Sequence, residues 1–210
     1  LAKTGAKHEI LKLNELAVPE IRMNPRNRCY LCKKELYTRM LDFASAHGIH
    51  TLLEGSNEDD LHVYRPGLKA VKELGVKSPL AMVHMTKKEV RILSREYGIP
   101  VADRPSSPCL ATRLPYGAEI DLALLERIDK AEEDIRKLGF YNVRVRVHDL
   151  IARVELDQED FLRFLKYRQE IVKKLKELGF SYITLDLEGF RSGSMDIGLM
   201  EEKEYENRTD

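Results

Sequence analysis

HEILKLNELAVPEIRMNPRNRCYLCKKELYTRMLDFASAHGIHTLLEG, residues 8–55, contains two kinds of apolar pattern whose order predicts an α/β fold. HEILKL (8–13) alternates as a strand does, and IHTLLEG (49–55) is a short apolar run that ends in glycine, so we predict a strand at each. Between them, residues 30–47 repeat apolar side chains at helical spacing. A strand, a helix and a second strand predict a crossover unit with parallel strands, and ligands gather at the carboxyl ends of such strands.

The composition is that of a globular protein without an overall charge bias. The chain has 210 residues, of which 43% are hydrophobic, and this is enough for a packed core. Its 35 basic and 35 acidic residues balance, so an anionic partner must be held by a local cluster of charges. RNA-binding proteins usually display a basic face, and the neutral charge therefore argues against a nucleic-acid partner.

Two further patterns bear on location and redox state. No apolar run approaches the roughly 18 to 20 residues that a membrane span requires, and no pattern of a secretion signal occurs, so we expect a cytoplasmic protein without a membrane partner. The chain has three cysteines, which are too few and too unevenly placed for a secreted disulfide framework. Reduced thiols or metal ligation are therefore favoured.

The cysteines form the first candidate site. Cys29 and Cys32 are a C-x-x-C pair at the start of the predicted helix, and Cys109 lies in a loop rich in proline and serine, residues 99–117. The free N–H groups of a helical first turn favour the thiolate that metal binding needs. Only one pair occurs, whereas a structural zinc site needs four ligands; three cysteines can hold a 4Fe-4S cluster with one iron open to another ligand. Ordinary thiols, or a disulfide between Cys29 and Cys32, are the alternatives that the spacing leaves open.

A run of oxygen-bearing side chains follows the second predicted strand. Asn57, Asp59 and Asp60 lie in EGSNEDD, residues 54–60, which the crossover unit places at the same edge as the cysteine pair. Such ligands suit magnesium, or the recognition of polar groups next to a phosphate. An asparagine-capped turn that opens a solvated helix is the alternative explanation.

Arginines form the third candidate group. Arg144 and Arg146 alternate along VRVRVH, residues 143–148, so both face one side of a predicted strand. Two guanidinium groups on one face can hold a phosphate through paired hydrogen bonds, although surface strands carry arginine for solubility as well. Arg113 follows Cys109 in the proline-rich loop.

The pattern of elements changes after this loop, which predicts two domains and a tail. Thr86 and Glu89 form a capping box for a helix that ends at Gly98. Beyond the loop, the patterns predict a helix at 121–138, strands at 141–148 and 150–156, a helix at 157–178 and a strand at 182–187. The predicted domains are residues 1–115 with a parallel sheet, residues 116–200 as a smaller α+β unit, and a loose acidic tail at 201–210.

Four segments resemble, in the same order, the LarE-type ATP-dependent sulfur transferases of the PP-loop ATP pyrophosphatase superfamily. They are NPRNRCYLCKKEL (24–36), EGSNEDDLHVYRPGLKAVKELGVKSPLA (54–81), TKKEVRILSREYGIPVADRPSSPCLATRLPYG (86–117) and VRVRVHDLIARVEL (143–156). The resemblance extends over residues 5–195, and it implies that residues 1–115 are the C-terminal part of a PP-loop domain, similar to the adenine nucleotide alpha hydrolases. The Ser-Gly-Gly-x-Asp-Ser phosphate loop of the family does not occur in the sequence, so we expect that an N-terminal segment of the natural protein is absent from it.

The resemblance also implies a reaction. Family members act on pyridinium-3,5-biscarboxylic acid mononucleotide: ATP adenylylates a carboxylate, pyrophosphate leaves, and a sulfur nucleophile displaces AMP to give a thiocarboxylate. The product serves the nickel-pincer nucleotide cofactor of lactate racemase. The implied assembly is a homo-oligomer, and the tendency of the family is toward a hexamer. A PP-loop enzyme that thiolates tRNA and a non-catalytic metal-binding domain are the alternative functions.

The resemblance assigns roles to the cysteines and to one arginine. Cys109 stands in CLATR, which matches the CLxxR segment of the family, so Cys29, Cys32 and Cys109 are the implied ligands of a 4Fe-4S cluster that carries sulfide from a sulfide donor. In the family variant without a cluster, the cysteine of this segment surrenders its own sulfur and becomes dehydroalanine. Arg113 is implied beside Cys109 as a catalytic residue.

The resemblance places the substrates as well. Arg144 and Arg146 match arginines that hold the phosphate of the substrate nucleotide. Asn57, Asp59 and Asp60 match the pocket in which ATP binds with magnesium as the co-substrate.

Overall fold

The computed structural model describes residue 5, residues 7–104 and residues 107–191. The chain divides after Arg104 into two compact units, residues 1–104 and 105–210. Helices dominate the first unit and a three-stranded sheet with helices forms the second, so the predicted mixed α/β class is confirmed. In the part of the chain that is described, no helix is both long and apolar enough to cross a bilayer.

The described part of the first unit is built from helices. They are α1 Pro19–Arg22, α2 Arg28–Ala46, α3 Glu58–Leu61, α4 Gly67–Glu73, α5 Pro79–Met82 and α6 Lys87–Glu96, with a 3-10 turn at Glu15–Ala17. Helix α2 packs along α4, and Tyr37, Val71 and Val76 form the buried core of this unit. Burial of a large apolar side chain contributes about 1.5–3 kcal/mol. The helix predicted at 30–47 is confirmed as α2.

The two strands predicted in this unit are wrong. Residues 8–13 lie in no strand, and Ile10 is 77% exposed. Residues 49–55 contribute a single parallel bridge, which joins Leu53 and Lys77. A strand needs a neighbour that takes up its backbone hydrogen bonds, and no described segment of this unit pairs with 8–13. The predicted crossover unit is therefore wrong as well, and the PP-loop domain stays a prediction.

The helix α6 begins as its sequence predicts. The backbone N–H of Glu89 donates to Thr86 Oγ1 at 3.3 Å, and the backbone N–H of Thr86 donates to Glu89 Oε2 at 2.7 Å. This reciprocal pair is the predicted capping box, which is confirmed. Helix α6 ends at Glu96, and Gly98 follows with a φ of 63°, the left-handed conformation that ends many helices.

The described part of the second unit follows the predicted order of elements. They are a 3-10 turn at Leu110–Arg113, α7 Leu122–Arg136, β1 Val143–His148, β2 Ile151–Leu156, a 3-10 turn at Gln158–Asp160, α8 Phe161–Lys166, α9 Arg168–Glu177 and β3 Tyr182–Leu185. Strand β2 lies between the other two, antiparallel to β1 and parallel to β3. One element differs: the helix predicted at 157–178 is broken at Tyr167, whose ring packs edge-on against Phe140.

Alternation along the strands separates an apolar face of the sheet from a charged face. The apolar side chains of β1 are Val143, Val145 and Val147, which are buried where α7 packs on the strand. On the charged face, Arg144 lies opposite Glu155 of β2, and Arg146 lies opposite Arg153. The prediction that Arg144 and Arg146 share one face is confirmed by this register.

The observed division between the units differs from the predicted boundary. The division falls after Arg104, whereas the sequence predicts it at residues 115 and 116. The side chain of Arg113 and the carbonyl of Thr112 bond to residues of the second unit, which accounts for the earlier division. The tail predicted at 201–210 lies outside the described residues.

Candidate active site

Cys29 and Cys32 lie about one turn apart at the start of α2, as the sequence predicts. Cys29 is exposed and Cys32 is half-buried, and residues three apart on a helix lie on the same side. The described residues include all three cysteines of the chain, and none of the three forms a disulfide bond. The alternative of a disulfide between Cys29 and Cys32 is therefore excluded in this structure.

A buried arginine accompanies this pair of thiols. Nη2 of Arg28 lies 3.7 Å from Sγ of Cys29, and Nη1 donates a hydrogen bond to Oδ1 of Asn24. Arg28 is 4% exposed and Asn24 is completely buried. The sequence reasoning missed this cation. The signal that could have indicated it is an arginine directly before the C-x-x-C pair.

A glycine allows α4 to approach α2 at the level of the thiols. A Cβ atom at Gly67 would lie 2.7 Å from Cδ of Lys33 and 3.3 Å from the carbonyl oxygen of Cys29. Real side chains essentially never make contacts as short as the first. The backbone of Cys29 is therefore packed directly against α4, which fixes the turn that carries the thiols.

The carboxylate of Glu54 connects this region to the loop after residue 53. Its oxygens accept hydrogen bonds from Ser56 N at 3.0 Å, from Ser56 Oγ at 2.8 Å and from Ser78 Oγ, and Lys33 Nζ lies 3.6 Å away. Burial alone would raise the pKa of Glu54, but the hydrogen bonds of Ser78 and Ser56 and the charge of Lys33 outweigh burial and lower it. The ionised carboxylate thus holds residue 54 next to α2.

Asn57, Asp59 and Asp60 come together at the start of α3. The side chain of Asn57 accepts from Asp59 N at 3.1 Å, and Asp60 Oδ2 accepts from Asn57 N at 3.1 Å, so the segment forms a capping box. Asp59 also accepts from Lys87 N at 2.8 Å, and Asp60 pairs with Arg65 at 2.7 Å. The asparagine-capped turn that the sequence allows is therefore present, and a magnesium site at these oxygens stays a prediction.

Cys109 lies in the second unit, at the start of a 3-10 turn that Arg113 closes. The thiol residue is exposed, whereas Arg113 is 1% exposed. Nη1 of Arg113 lies 3.3 Å from the carbonyl oxygen of Pro108 and 3.4 Å from that of Cys109, and Thr112 Oγ1 donates to Cys109 O at 2.7 Å. Arg113 therefore holds the backbone on which the accessible sulfur is mounted.

Glu132 of α7 is a further member of this site, and the sequence reasoning missed it. It is completely buried, and its two oxygens accept from Nε and Nη2 of Arg113 at 2.6 and 2.9 Å. The same carboxylate accepts from the backbone N–H of Val145 at 2.9 Å. A carboxylate that accepts both arms of a guanidinium gives a geometrically specific pair. The pair thus ties the turn of Cys109 to the first strand of the sheet.

The position of Glu132 in the sequence indicates that its carboxylate is buried. It follows Ile128 by four residues and precedes Ile135 by three, and both isoleucines are buried. The apolar stripe of α7 therefore runs through a carboxylate. A charged residue is almost never fully buried unless it is paired, so a glutamate on this stripe predicts a buried cationic partner.

Arg144 and Arg146 are both buried, and each has a partner for its guanidinium group. Nε of Arg146 donates to Glu155 Oε1 at 2.5 Å, and its Nη1 donates to the carbonyl of Thr112 at 2.5 Å. The guanidinium of Arg144 lies over the ring of Phe190, 5.1 Å from its centroid. Burial, and next the charge of Arg113, lower the pKa of Arg144. The charged face thus concentrates positive charge away from water.

The predicted site residues fall into two groups. The second unit carries Cys109, Arg113, Arg144 and Arg146. The bonds of Arg113 to the Cys109 carbonyl and of Arg146 to the Thr112 carbonyl connect three of them, and Arg144 lies on the same strand face as Arg146. The first unit carries the remaining residues: Cys29, Cys32, Asn57, Asp59 and Asp60. Within residues 7–104 and 107–191 no group of three His, Cys, Asp or Glu side chains is placed to hold a metal ion. The three-cysteine cluster therefore stays a prediction.

Comparison with known proteins identifies relatives over most of the chain. No protein-family model matches it. The chain is 44% identical over 194 residues to an uncharacterized protein of Synechocystis, covering 91% of this chain and 72% of that protein. It is 38% identical over 195 residues to the pyridinium-3,5-bisthiocarboxylic acid mononucleotide synthase of Lactiplantibacillus plantarum, covering 93% and 71%. An uncharacterized protein of Methanocaldococcus jannaschii is 32% identical over 188 residues, covering 90% and 73%.

The match of 38% identity over 93% of a chain with a mixed α/β fold shows the class of protein to which the chain belongs. The chain belongs to the LarE-type family, that of the Lactiplantibacillus plantarum synthase. The family resemblance of the sequence is thereby confirmed.

Proposed function

We propose that this chain is the sulfur transferase that converts pyridinium-3,5-biscarboxylic acid mononucleotide into its thiocarboxylate form in an ATP-dependent reaction. The observation that carries the proposal is the 38% identity, over 93% of the chain, to a synthase whose name states a bisthiocarboxylic product. The product would enter the biosynthesis of the nickel-pincer nucleotide of lactate racemase.

The reaction proceeds in two displacements. A substrate carboxylate oxygen attacks the α-phosphorus of ATP, and the bond to pyrophosphate breaks to leave an acyl adenylate. A sulfur nucleophile then attacks the activated carbonyl carbon, and AMP leaves with the electron pair of the acyl–oxygen bond. Asn57, Asp59 and Asp60 would hold magnesium beside the nucleotide, where the ion would neutralise the phosphate charge. The three side chains lie together at the start of α3, where magnesium would share their oxygens with the hydrogen bonds of the capping box.

The cysteines supply or hold the sulfur. The family resemblance implies that Cys29, Cys32 and Cys109 hold a 4Fe-4S cluster, and the support is that all three are free thiols, of which Cys29 and Cys109 are exposed. Such a cluster, held by three thiolates, would supply an iron without a protein ligand, at which sulfide from a donor would bind. Arg113 acts by position, since its contacts are with the carbonyls of Pro108 and Cys109.

A reaction without the cluster uses the sulfur of Cys109 itself. The Cys109 thiolate attacks the acyl adenylate and AMP leaves. Loss of the α proton and cleavage of the Cβ–Sγ bond then release the thiocarboxylate and leave dehydroalanine at position 109. The exposure of Cys109 allows either route.

Arg144 and Arg146 hold the phosphate of the substrate nucleotide. The support is electrostatic: burial, followed by the charges of Arg153 and Arg146, lowers the pKa of His148, as burial and Arg113 lower that of Arg144. Burial is the larger cause of both shifts, and the charges of neighbouring arginines add to it; a bound phosphate would compensate these positive charges. The guanidinium of Arg146 already donates hydrogen bonds to Glu155 and to the Thr112 carbonyl. The phosphate of the substrate nucleotide therefore competes with these two acceptors.

The test is turnover by the full-length protein after anaerobic reconstitution with iron and sulfide. With ATP, magnesium and the pyridinium dicarboxylate nucleotide, we expect pyrophosphate, AMP and a thiocarboxylate that mass spectrometry detects. Cys109→Ser should release pyrophosphate without forming thiocarboxylate, because adenylylation precedes sulfur transfer. No pyrophosphate release by wild type with this substrate, or equal release with bulk tRNA in its place, would contradict the proposal.

A further inference from the structure

Two buried nitrogen atoms on the charged face of the sheet have no hydrogen-bond partner within the described part of the chain. They are Nε2 of His148 and Nε of Arg153. The second nitrogen lies 3.4 Å from Oδ2 of Asp186, but this ion pair does not have the geometry of a hydrogen bond. Folded proteins rarely leave buried polar atoms unsatisfied, and such an atom often indicates a bound group or a function.

The register of the strands brings these two side chains together. Arg146 of β1 lies directly opposite Arg153 of β2, and His148 follows Arg146 by two residues on the same face. His148 lies opposite Ile151, so Arg153 is its diagonal neighbour across the two antiparallel strands. Long side chains at diagonal positions are within reach of each other. The imidazole and the guanidinium therefore adjoin the same part of the charged face.

Positive charge is concentrated in this part of the face. One oxygen of Glu155, Oε1, accepts from both Nε of Arg146 and Nη2 of Arg153, at 2.5 and 3.2 Å. Burial, followed by the charges of Arg153 and Arg146, lowers the pKa of His148, and the carboxylates of Asp149 and Glu155 act in the opposite direction. The imidazole is therefore neutral near neutral pH and has one N–H group to donate. A negatively charged acceptor satisfies this donor and compensates the arginines at the same time.

This end of the charged face is open to solvent. Ile151 lies opposite His148, and on β3 Tyr182 pairs with Ile151 and Thr184 pairs with Arg153. Ile151, Tyr182 and Thr184 are exposed, and the side chain of Arg153 is 35% exposed. A ligand can approach from this end, and side-chain rotation, which is fast on an exposed surface, brings the two nitrogens to it.

We propose that His148 and Arg153 form an anion site, in which Nε2–H of the imidazole and Nε–H of the guanidinium donate to one oxyanion group of the substrate nucleotide. This deepens the proposed function, on which the identity of the nucleotide rests and which assigns no role to either residue. The nucleotide carries a phosphate and two carboxylates, and one carboxylate reacts. His148 lies roughly 7 Å along the strand from Arg146. The group in the site is therefore the carboxylate that is not activated, or a further oxygen of the phosphate.

The first experiment measures the dissociation constants of pyridine-3,5-dicarboxylate and of inorganic phosphate by calorimetric titration of the full-length protein near neutral pH. His148→Leu replaces the imidazole by an apolar side chain of similar size. At least one of the two constants should rise about tenfold, because a hydrogen bond to a charged group is lost. The probe whose affinity falls identifies the group that the site takes. The control is His50→Leu, an exposed histidine of the first unit, which should change neither constant.

Two further variants test the donors separately. The amide of glutamine presents an N–H group close to the position of Nε2, so His148→Gln should keep most of the affinity. Arg153→Gln should raise the same dissociation constant as His148→Leu does, with Arg168→Gln on the exposed side of α9 as the control. Unchanged constants in both His148→Leu and Arg153→Gln would overturn the proposal, as would equal rises in the controls. If His148→Leu does not fold, Arg153→Gln and His148→Gln decide.

Thermal unfolding distinguishes ligand binding from a structural role of the imidazole. Because Nε2 of His148 has no partner in the described structure, its removal should not lower the unfolding midpoint of the protein without ligand. A lower midpoint in His148→Leu together with unchanged affinities would show a structural role and overturn the proposal. Binding of neither probe by wild type would overturn it as well.

Failure of the proposed function gives a different result. Absence of pyrophosphate release from ATP with the pyridinium dicarboxylate nucleotide contradicts that function, whereas the dissociation constants of the two probes do not depend on turnover. The affinities of the variants therefore decide the role of His148 and Arg153 in either case.

Discussion

Glu132 accepts hydrogen bonds from both Nε and Nη2 of Arg113, at 2.6 and 2.9 Å, and both side chains are almost completely buried. Removal of one partner of a buried ion pair leaves the other as an uncompensated charge. We therefore predict that Glu132→Ala destabilises the second unit by about 3–5 kcal/mol. Urea unfolding measures this, with Glu133→Ala as the control, because Glu133 is half exposed and pairs with surface lysines. If Glu132→Ala lowers the free energy of unfolding no more than Glu133→Ala does, the Glu132–Arg113 pair does not stabilise the second unit.

The cysteine positions predict distinct phenotypes. Cys29→Ser should abolish the visible charge-transfer absorption of the reconstituted protein, because a three-thiolate site loses a ligand. It should also abolish turnover. Full turnover by Cys29→Ser, together with dehydroalanine at position 109 in the peptide map, would instead support the route in which Cys109 gives up its own sulfur.

Gly67 gives a prediction about the packing of the thiol-bearing turn. In Gly67→Ala, the new Cβ would lie 2.7 Å from Cδ of Lys33 and 3.3 Å from the carbonyl of Cys29, so Lys33 must move and its pair with Glu54 is disturbed. We expect a net destabilisation on the order of 1 kcal/mol, since overpacking outweighs the better helix propensity of alanine. Gly55→Ala is the control, because a Cβ there meets nothing within 4 Å. Thermal unfolding compares the two, and equal midpoints would refute the close packing.

Glu54 predicts an acid dependence of stability. The pKa of its carboxyl is lowered in the folded protein by hydrogen bonds that outweigh the effect of burial. The folded state therefore binds a proton less readily than the unfolded state does. The resulting stabilisation is complete above the ordinary value of 4.5 and is lost as the pH falls through the lower, folded value.

The variant Glu54→Gln removes this titration. Its free energy of unfolding should lie below that of wild type at neutral pH, and the difference should shrink as the pH falls below about 4.5. Urea titrations at several pH values measure the difference, with Glu96→Gln, at the exposed end of α6, as the control. A difference that does not change with pH would show that the carboxylate charge contributes nothing.

Arg146 predicts a loss of substrate affinity. In Arg146→Lys the positive charge remains. An ammonium group, however, cannot reproduce the planar guanidinium, which donates to Glu155 and to the Thr112 carbonyl at the same time. We expect KM for the nucleotide substrate to rise about tenfold or more, with a smaller change in kcat. Steady-state kinetics measure both, and Arg168→Lys on the exposed side of α9 is the control. An unchanged KM would exclude Arg146 from phosphate binding.

Local sequence signals predict most of the second unit. Asp121 and Arg136 bound α7 as its periodicity predicts, and alternation of valine and arginine fixes β1 and its two faces. The break at Tyr167 could not be predicted, because the apolar spacing continues through it; in the structure the ring of Tyr167 packs edge-on against Phe140.

The first unit is less predictable because its strands depend on partners. HEILKL has the alternation of a strand, yet alternation does not supply the neighbour that a strand needs. In contrast, the C-x-x-C pair on a helical turn and the capping boxes at α3 and α6 depend on residues a few positions apart, and they form as predicted or as the stated alternative.

The site shows the same contrast. The residues Cys109, Arg113, Arg144 and Arg146 could be selected from their types and spacing, but Glu132 and Arg28 could not be connected to them by spacing alone. Their roles come from burial: each is charged, nearly inaccessible and bonded to a site residue. Burial is a property of the folded chain, and the sequence indicates it only for the glutamate on the apolar stripe of α7; the position of Arg28 directly before the C-x-x-C pair indicates a cation there but not its burial.

The guanidinium of Arg146 bonds a strand carboxylate at one end and a loop carbonyl at the other. The Glu132–Arg113 pair lies next to it, because Arg113 follows Thr112 directly. These four charged residues, Arg113, Glu132, Arg146 and Glu155, therefore depend on one another. Replacement of any one member leaves a buried charged partner uncompensated, at a cost of about 3–5 kcal/mol. Homologous chains should therefore exchange positions 113 and 132, or 146 and 155, in concert, and drift at one of these positions alone should be rare.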